Sequence, residues 1–317
     1  MNRRSFGQTG LQVHPICLGG NVFGWSADEA TSFKVLDAYV QAGGNFIDTA
    51  DVYSRWVPGH HGGESETILG RWLKRMGQRE ELVIATKVGM EVAEGKGLSR
   101  KHILKAVERS LNRLQVDTID LYYAHQDDPS TELDETLEAF DELVRQGKVR
   151  AVAASNYTAE RLEKALMLAR SKNYKGYTGL QVSYNIVDRS VYEGALESLC
   201  SSEGLGVVGY YSLAAGFLSG KYREGQPLPS TPRAQGVESR YMNPHGFHVL
   251  HTLEKVAEQL GATIAQASLA WVLARESMTG PIVSGSTPEQ VEEFMKAADL
   301  RLSSEALYLL DNASKVS

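Results

Sequence analysis

The stretch TIDLYYAHQDDPSTELDETLEAFDELVRQGKVRAVAAS, residues 118–155, decides the fold. It opens on a short apolar run at 118–124 and closes on another at 149–155. Between them, residues 131–148 place Leu133, Leu137, Phe140 and Val144 on one helical face, with Thr131 as the expected N-cap. Runs that are apolar throughout, rather than alternating, predict strands buried on both faces. A helix returning between two such strands predicts that they pair in parallel.

The same unit recurs in both directions along the chain. Strand candidates fall at 16–19, 46–50, 82–88, 118–124, 149–155, 179–184, 206–212 and 280–284, separated by amphipathic helices. One of these helices takes Ser99 as its N-cap and aligns Ile103, Val107, Leu111 and Leu114. Eight such units favour an α/β fold closed into a (β/α)8 TIM barrel over an open sheet. Ahead of them, RRSFGQTGLQVHPICLG reads as an N-terminal β-hairpin turned at Gly10. A long loop after strand 7, from Leu213 to about Asn243, is rich in Gly, Pro and Arg and shows little periodicity; loops of that length are usually functional or disordered. With no internal repeat beyond the βα alternation and no low-complexity tract, residues 1–317 read as a single domain.

Composition narrows the function classes. With 42% hydrophobic and 23% charged residues the chain is of globular type, and a net charge of -6 disfavours nucleic acid and anionic membrane as partners. Two cysteines, Cys17 and Cys200, are too few for a disulfide framework. The opening MNRRSFGQTGLQ has no apolar region behind its arginines, and no run approaches the roughly 18 residues of a membrane span. A cytoplasmic protein is expected.

In a (β/α)8 barrel the chemistry sits at the C-terminal ends of the strands. Asp48 ends the second strand, Lys87 the third and His125 the fourth, while Tyr53 follows on the loop after the second. Singly, each has a structural explanation: a turn carboxylate, a snorkelling lysine, a core histidine, a packed tyrosine. Together they put an acid, a base, an imidazole and a phenol at one mouth. A nearby ammonium lowers a phenol's pKa, and a carboxylate keeps a buried ammonium charged. Asp48 is therefore expected to be the counter-ion of Lys87, Lys87 to favour the tyrosinate of Tyr53, and a neutral His125 to orient a substrate oxygen.

These residues, in the contexts FIDTADVY, ATK and YYAH, resemble the Asp, Tyr, Lys and His tetrad of the aldo-keto reductases. The resemblance extends over nearly the whole chain, through GKVRAVAASNY, LQVSYN, GYYSLAAGFLSGKY and PIVSGSTPEQVEEF. It implies hydride transfer between a nicotinamide cofactor and a carbonyl or alcohol substrate such as an aldehyde, ketone or sugar, with Tyr53 as general acid in reduction and general base in oxidation. A cofactor-binding regulatory subunit of the same fold, with incidental turnover, is the alternative.

The resemblance also implies the cofactor site. Ser155, Asn156 and Gln181 would hold the carboxamide, Tyr211 would stack on the nicotinamide, and Lys221 would reach the pyrophosphate. Gly20, Asn21, Asp48, Ser212, Leu213, Gly216, Gly285, Ser286, Thr287, Gln290 and Glu293 complete the set. In SGSTPEQ, Thr287 reads as an N-cap, Pro288 as the first helical residue and Gln290 as the third, the pattern of a capping box whose free amides suit a phosphate. Ser284, Ser286 and Gln290 are uncharged where NADPH-preferring members carry a cation. NADP(H) is expected with weak discrimination against NAD(H), and Arg223, Arg233 or Arg240 would explain a strong preference.

Two motifs are set aside. GLGVVG, with Gly204, Gly206 and Gly209, matches a dinucleotide fingerprint but follows a helix and enters a strand, the reverse of the required context. His60, His61 and Glu64 lie close together in RWVPGHHGGE, but without a second ligand cluster no metal is assigned. Phe23, Trp25 and Trp56, with Tyr53 and His125, are expected to wall the substrate pocket.

Overall fold

The computed structural model describes residues 3–77 and 79–315; Met1, Asn2, Gln78, Val316 and Ser317, including the first two residues of the opening segment, lie outside the described residues. The chain begins with a hairpin, β1 (Arg4–Ser5) paired antiparallel with β2 (Gln12–Val13), and Gly10 in its turn has φ +77°. The strands β3 (Cys17–Gly19), β4 (Phe46–Asp48), β5 (Val83–Val88), β6 (Ile119–Ala124), β7 (Val149–Ser155), β8 (Gly179–Ser183), β9 (Gly206–Tyr210) and β10 (Gly280–Val283) follow. They form a closed parallel barrel in sequence order, with β10 pairing back onto β3.

Helices α1 (Glu29–Gln41), α2 (Glu64–Met76), α3 (Arg100–Leu114), α4 (Leu133–Arg145), α5 (Ala159–Lys172) and α6 (Ala195–Ser202) connect the first seven barrel strands. The long connection after β9 holds α7 (Ala234–Tyr241), α8 (Pro244–Leu260) and α9 (Ile264–Leu273). The chain closes with α10 (Pro288–Met295) and α11 (Ser304–Ala313). All eight expected barrel strands form, and the expected hairpin precedes them. The supposedly aperiodic stretch, however, contains a short 3-10 segment, Ala214–Ser219, and α7. Helix α7 has only eight residues, too few to show a period, and docks through Tyr241, whose ring stacks 5.9 Å from that of Phe217.

Two apolar layers follow from the strand period of two. Outward-facing residues such as Leu18, Ile47, Ile84, Tyr122, Val152 and Leu180 pack under the helices. Inward-facing Cys17, Phe46, Val83, Ala85, Leu121, Tyr123, Ala151, Ala153, Val208 and Ile282 fill the barrel. The hairpin closes the bottom with Phe6, whose ring meets Phe46 edge-on at 5.9 Å. Gly179 and Gly206 make this seat, since a Cβ on either would fall within 3 Å of the Phe6 side chain.

One expected cap is displaced. Ser99 caps α3 by accepting from the His102 amide, but α4 starts at Leu133 with Glu132 as a cap that makes no side-chain bond. Thr131 instead donates its hydroxyl to Asp128 at 2.7 Å. Asp128 also accepts from the amides of Ser130 and Leu98, tying the β6–α4 loop to the β5–α3 loop. Ordering two loops at the barrel mouth outweighs capping one helix.

Candidate active site

Extending the inward-facing period by one step at the C-terminal ends of the strands reaches Asp48, Lys87, His125, Ser155, Gln181, Tyr210 and Ser284. The strands themselves thus aim a polar layer over the apolar filling. Lys87 is fully buried. Its Nζ donates to Asp48 Oδ2 at 2.6 Å, to the Thr49 carbonyl at 2.8 Å and to Tyr53 Oη at 2.7 Å. An ammonium has three hydrogens, and all are engaged. Gln181 Nε2 donates to the other Asp48 oxygen at 2.9 Å, which accounts for an amide inside an apolar strand.

Tyr53 Oη accepts from Lys87, and its own hydrogen makes only a long bond to Asp48. The nearest carboxylate oxygen, Asp48 Oδ2, lies 3.4 Å away. The pKa reading of the sequence needs correction here. Burial and the Asp48 carboxylate push the Tyr53 phenol well above its ordinary value, so its net shift is upward. The group is a firmly protonated donor near neutrality. Burial lowers Lys87 while Asp48 opposes that shift. His125 is held well below its usual value by burial and by Lys87, hence neutral; its Nδ1 has no hydrogen-bond partner among the described residues.

Around this core the expected residues have mixed placements. Trp56 is 48% exposed; its ring meets Trp25 edge-on at 5.6 Å and Tyr53 at 6.1 Å, roofing the phenol on one side. Phe23 does not join them. It is wholly buried in the core beneath the helices, so its ring is not a pocket wall. The glycines and aromatic residues of that loop look alike in sequence, and only packing separates core from wall.

Ser155 and Asn156 sit at the end of β7. Asn156 is left-handed (φ +58°) and donates to the His125 carbonyl at 2.9 Å and to Ser155 Oγ at 3.1 Å, while accepting from Tyr210 Oη at 2.8 Å. Tyr211 is 45% exposed with φ +56°, its carbonyl held by Asn185. After Ser212 and Leu213, the latter with φ −104°, positive φ returns at Ala214, Ala215 and Gly216, and Leu213 caps the 3-10 segment they begin. Strained backbone of this kind gathers where a ligand must be met. Ser212 turns its hydroxyl inward to the Gly209 carbonyl. Gly20 is buried, its carbonyl taken by Ser65, and Asn21 Oδ1 accepts from Ser284 at 2.6 Å.

Thr287 caps α10 by accepting from the Gln290 amide, but the Gln290 side chain accepts from the Ser286 amide rather than from Thr287. The expected capping box is therefore only half formed; a complete one stands at Thr263 and Gln266 on α9. Gly285 packs against Val291 and Phe294, and the Glu293 carbonyl accepts from Gln266.

Lys221 and Arg233 share the long connection, and neither has an acidic partner among the described residues. Arg233 lies over the Trp25 ring at 5.1 Å, and each loses proton affinity through burial, Lys221 also through Arg233. Arg223 and Arg240 are paired with Glu254 and Asp188. In the insert, His61 donates its amide to Glu64 and His60 bonds the Ser54 carbonyl, so these groups hold the loop together.

Sequence reasoning missed Tyr210 and Asp51. The first was available from the period of two. The second is 3% exposed with neither carboxyl oxygen bonded, and burial, followed by Glu66, raises it well above the carboxylate range; Arg113, Lys87 and Arg109 oppose the shift. No local pattern announces such a group. The decoy glycines behave as expected, Gly204 (φ +62°) following α6 and Gly206 opening β9.

Known proteins resemble the chain over nearly its whole length. The chain is 35% identical over 315 residues to an uncharacterized oxidoreductase, YrpG, of Bacillus subtilis, covering 96% of this chain and 94% of that one. It is 33% identical over 322 residues to a putative voltage-gated potassium channel subunit beta of Schizosaccharomyces pombe, with coverage of 97% and 92%. A probable voltage-gated potassium channel subunit beta of Oryza sativa is 30% identical over 309 residues, with coverage of 95% and 92%. Residues 15–315 match the aldo/keto reductase family, and the chain belongs to it.

Proposed function

We propose that the protein reduces aldehyde, ketone or sugar carbonyls with NAD(P)H, using Tyr53 as general acid. One observation carries the reading: the buried Lys87 ammonium donates to Tyr53 Oη at 2.7 Å, and the phenolic hydrogen is held only by a long 3.4 Å bond to Asp48, which a substrate oxygen beside Trp56 can replace. The residues present suit a nicotinamide cofactor. Tyr211 offers an exposed ring at a strained position, and Lys221 and Arg233 are cations without an acidic partner among the described residues. When bound, such a cofactor supplies the hydride.

The chain's own groups supply the rest. Tyr53 and the neutral His125 ring, 6.0 Å from it, bracket the carbonyl oxygen. As negative charge grows on that oxygen, Tyr53 gives it a proton, and the Lys87 ammonium stabilises the tyrosinate left behind. Asp48, itself held by Gln181, and the Thr49 carbonyl hold Lys87 in place. Reduction then stays level through neutral pH, while oxidation, which needs tyrosinate, rises toward alkaline pH because the phenol is shifted upward.

Tyr53→Phe tests the reading. Its kcat for carbonyl reduction, followed by loss of reduced-nicotinamide absorbance over a substrate panel, is expected to fall at least about 100-fold with cofactor affinity nearly unchanged. Retention of more than a third of wild-type kcat, with chemistry rate-limiting, overturns it. NADPH is the proposed natural cofactor, with modest preference over NADH. A preference beyond about a thousandfold, ~4 kcal/mol, would point to Arg233, since Arg223 and Arg240 already have partners.

The second reading is a regulatory subunit that senses cofactor occupancy, and the relatives named as potassium channel subunits favour it. Tight NADPH binding without turnover of any carbonyl on the panel would favour it over reduction.

A further inference from the structure

Ser54, directly after the phenol, plays no part in the chemistry proposed above, yet it is held in a way that chemistry explains. It is left-handed (φ +74°), a conformation that L-residues other than glycine avoid, and it is fully buried. Its hydroxyl donates across loops to the Phe23 carbonyl at 2.7 Å. Its own carbonyl lies 3.2 Å from His60 Nδ1. A carbonyl only accepts, so Nδ1 of His60 carries the hydrogen.

One bond to the neighbouring loop and two within its own, the second from the Val57 amide to the Ser54 carbonyl at 3.0 Å, therefore hold one strained residue. The Phe23 end of the clamp belongs to the segment Gly20–Trp25, which carries the cofactor candidates Gly20 and Asn21 and the Trp25 wall. The Ser54 end is one peptide bond from Tyr53. We propose that Ser54 and His60 are positioning residues that fix the aim of the Tyr53 phenol onto Lys87 and couple it to the loop bearing Trp25. The inference rests on Tyr53 being the general acid. It gives His60 a role that metal binding does not.

The test compares three variants by single-turnover reduction, NADPH affinity from fluorescence, and the pH profile of oxidation. Ser54→Ala removes the hydroxyl and keeps the conformational penalty. It is expected to lower kcat about tenfold and move the alkaline limb upward, with NADPH affinity within twofold of wild type. Ser54→Gly adopts the turn at no penalty and is expected to lose no more than about threefold. His60→Leu should lower kcat about threefold and move the limb in the same direction.

A folded Ser54→Ala protein with kcat within twofold of wild type and an unmoved limb overturns the proposal, whatever its melting temperature. Should that variant not fold, His60→Leu decides: unchanged kcat and limb overturn the proposal. Tyr53→Phe is run alongside. If it turns over freely, the acid assignment falls and takes this inference with it; if it is dead while the other variants are active, only the positioning role falls.

Discussion

Lys87 and Asp48 form a buried pair, and their removal separates structure from chemistry. Lys87→Met alone leaves the Asp48 carboxylate without its cation, a loss of about 3–5 kcal/mol for a buried pair broken from one side. Asp48→Asn combined with Lys87→Met should recover most of that stability in urea unfolding. Turnover should stay low in both, because neither stabilises tyrosinate. A double variant as unstable as the single one would show that the pair is not the source of the loss. Asp51 gives the pH-dependent case. A carboxyl raised in the fold contributes stability that is full below its unfolded value of about 3.9 and is lost as pH climbs toward the folded value. Asp51→Asn stays neutral at all pH. It should therefore be more stable than wild type at pH 8, with the gap closing by pH 4 in urea midpoints. A constant gap would mean that Asp51 does not titrate as its burial dictates. At this scale the sequence revealed which residues meet but not their charge balance. Asp48, Tyr53, Lys87 and His125 follow from strand ends, whereas the upward shift of Tyr53 depends on burial and on an oxygen 3.4 Å away.

Elements were easier to read where their period was complete. Continuous apolar strands such as β6 and β7 were foreseen to within a residue, because burial on both faces leaves a plain signature. Helix α7 and the Thr131 cap were not, since both answer to tertiary partners: Phe217 for the helix, Asp128 for the threonine. Gly70 shows the same override. Alanine normally stabilises a helix interior by about 0.5–1 kcal/mol over glycine. Here a Cβ on Gly70 would sit 2.0 Å from the Arg113 carbonyl, backbone of α3 that cannot yield easily. Overpacking of about 1–3 kcal/mol wins, and pushing α3 away also strains the 2.7 Å bond from Arg113 to the buried Glu66. Gly70→Ala should lower the melting temperature; an increase would mean that α2 and α3 lie farther apart.

Over the whole molecule, a net charge of -6 coexists with two unpaired cations at the mouth. Anion capture there should be screened by salt, whose Debye length is about 8 Å near physiological strength. NADPH affinity should weaken as NaCl rises, and Lys221→Met with Arg233→Met should bind about tenfold or more weakly with a flatter salt response, read by fluorescence titration. Equal salt slopes would remove both residues from the site. Closure of the barrel has another consequence. The last strand, β10, pairs with β3 on one side and β9 on the other, joining the first and seventh barrel strands through only a few residues. Until residues 280–283 have been made, β3 and β9 each present a row of unpaired amides and carbonyls to water. Such rows recruit strands from neighbouring molecules. A ribosome stalled late, or a protease removing the final segment, therefore leaves two adhesive edges rather than a weakened barrel, and the product of that loss is precipitate.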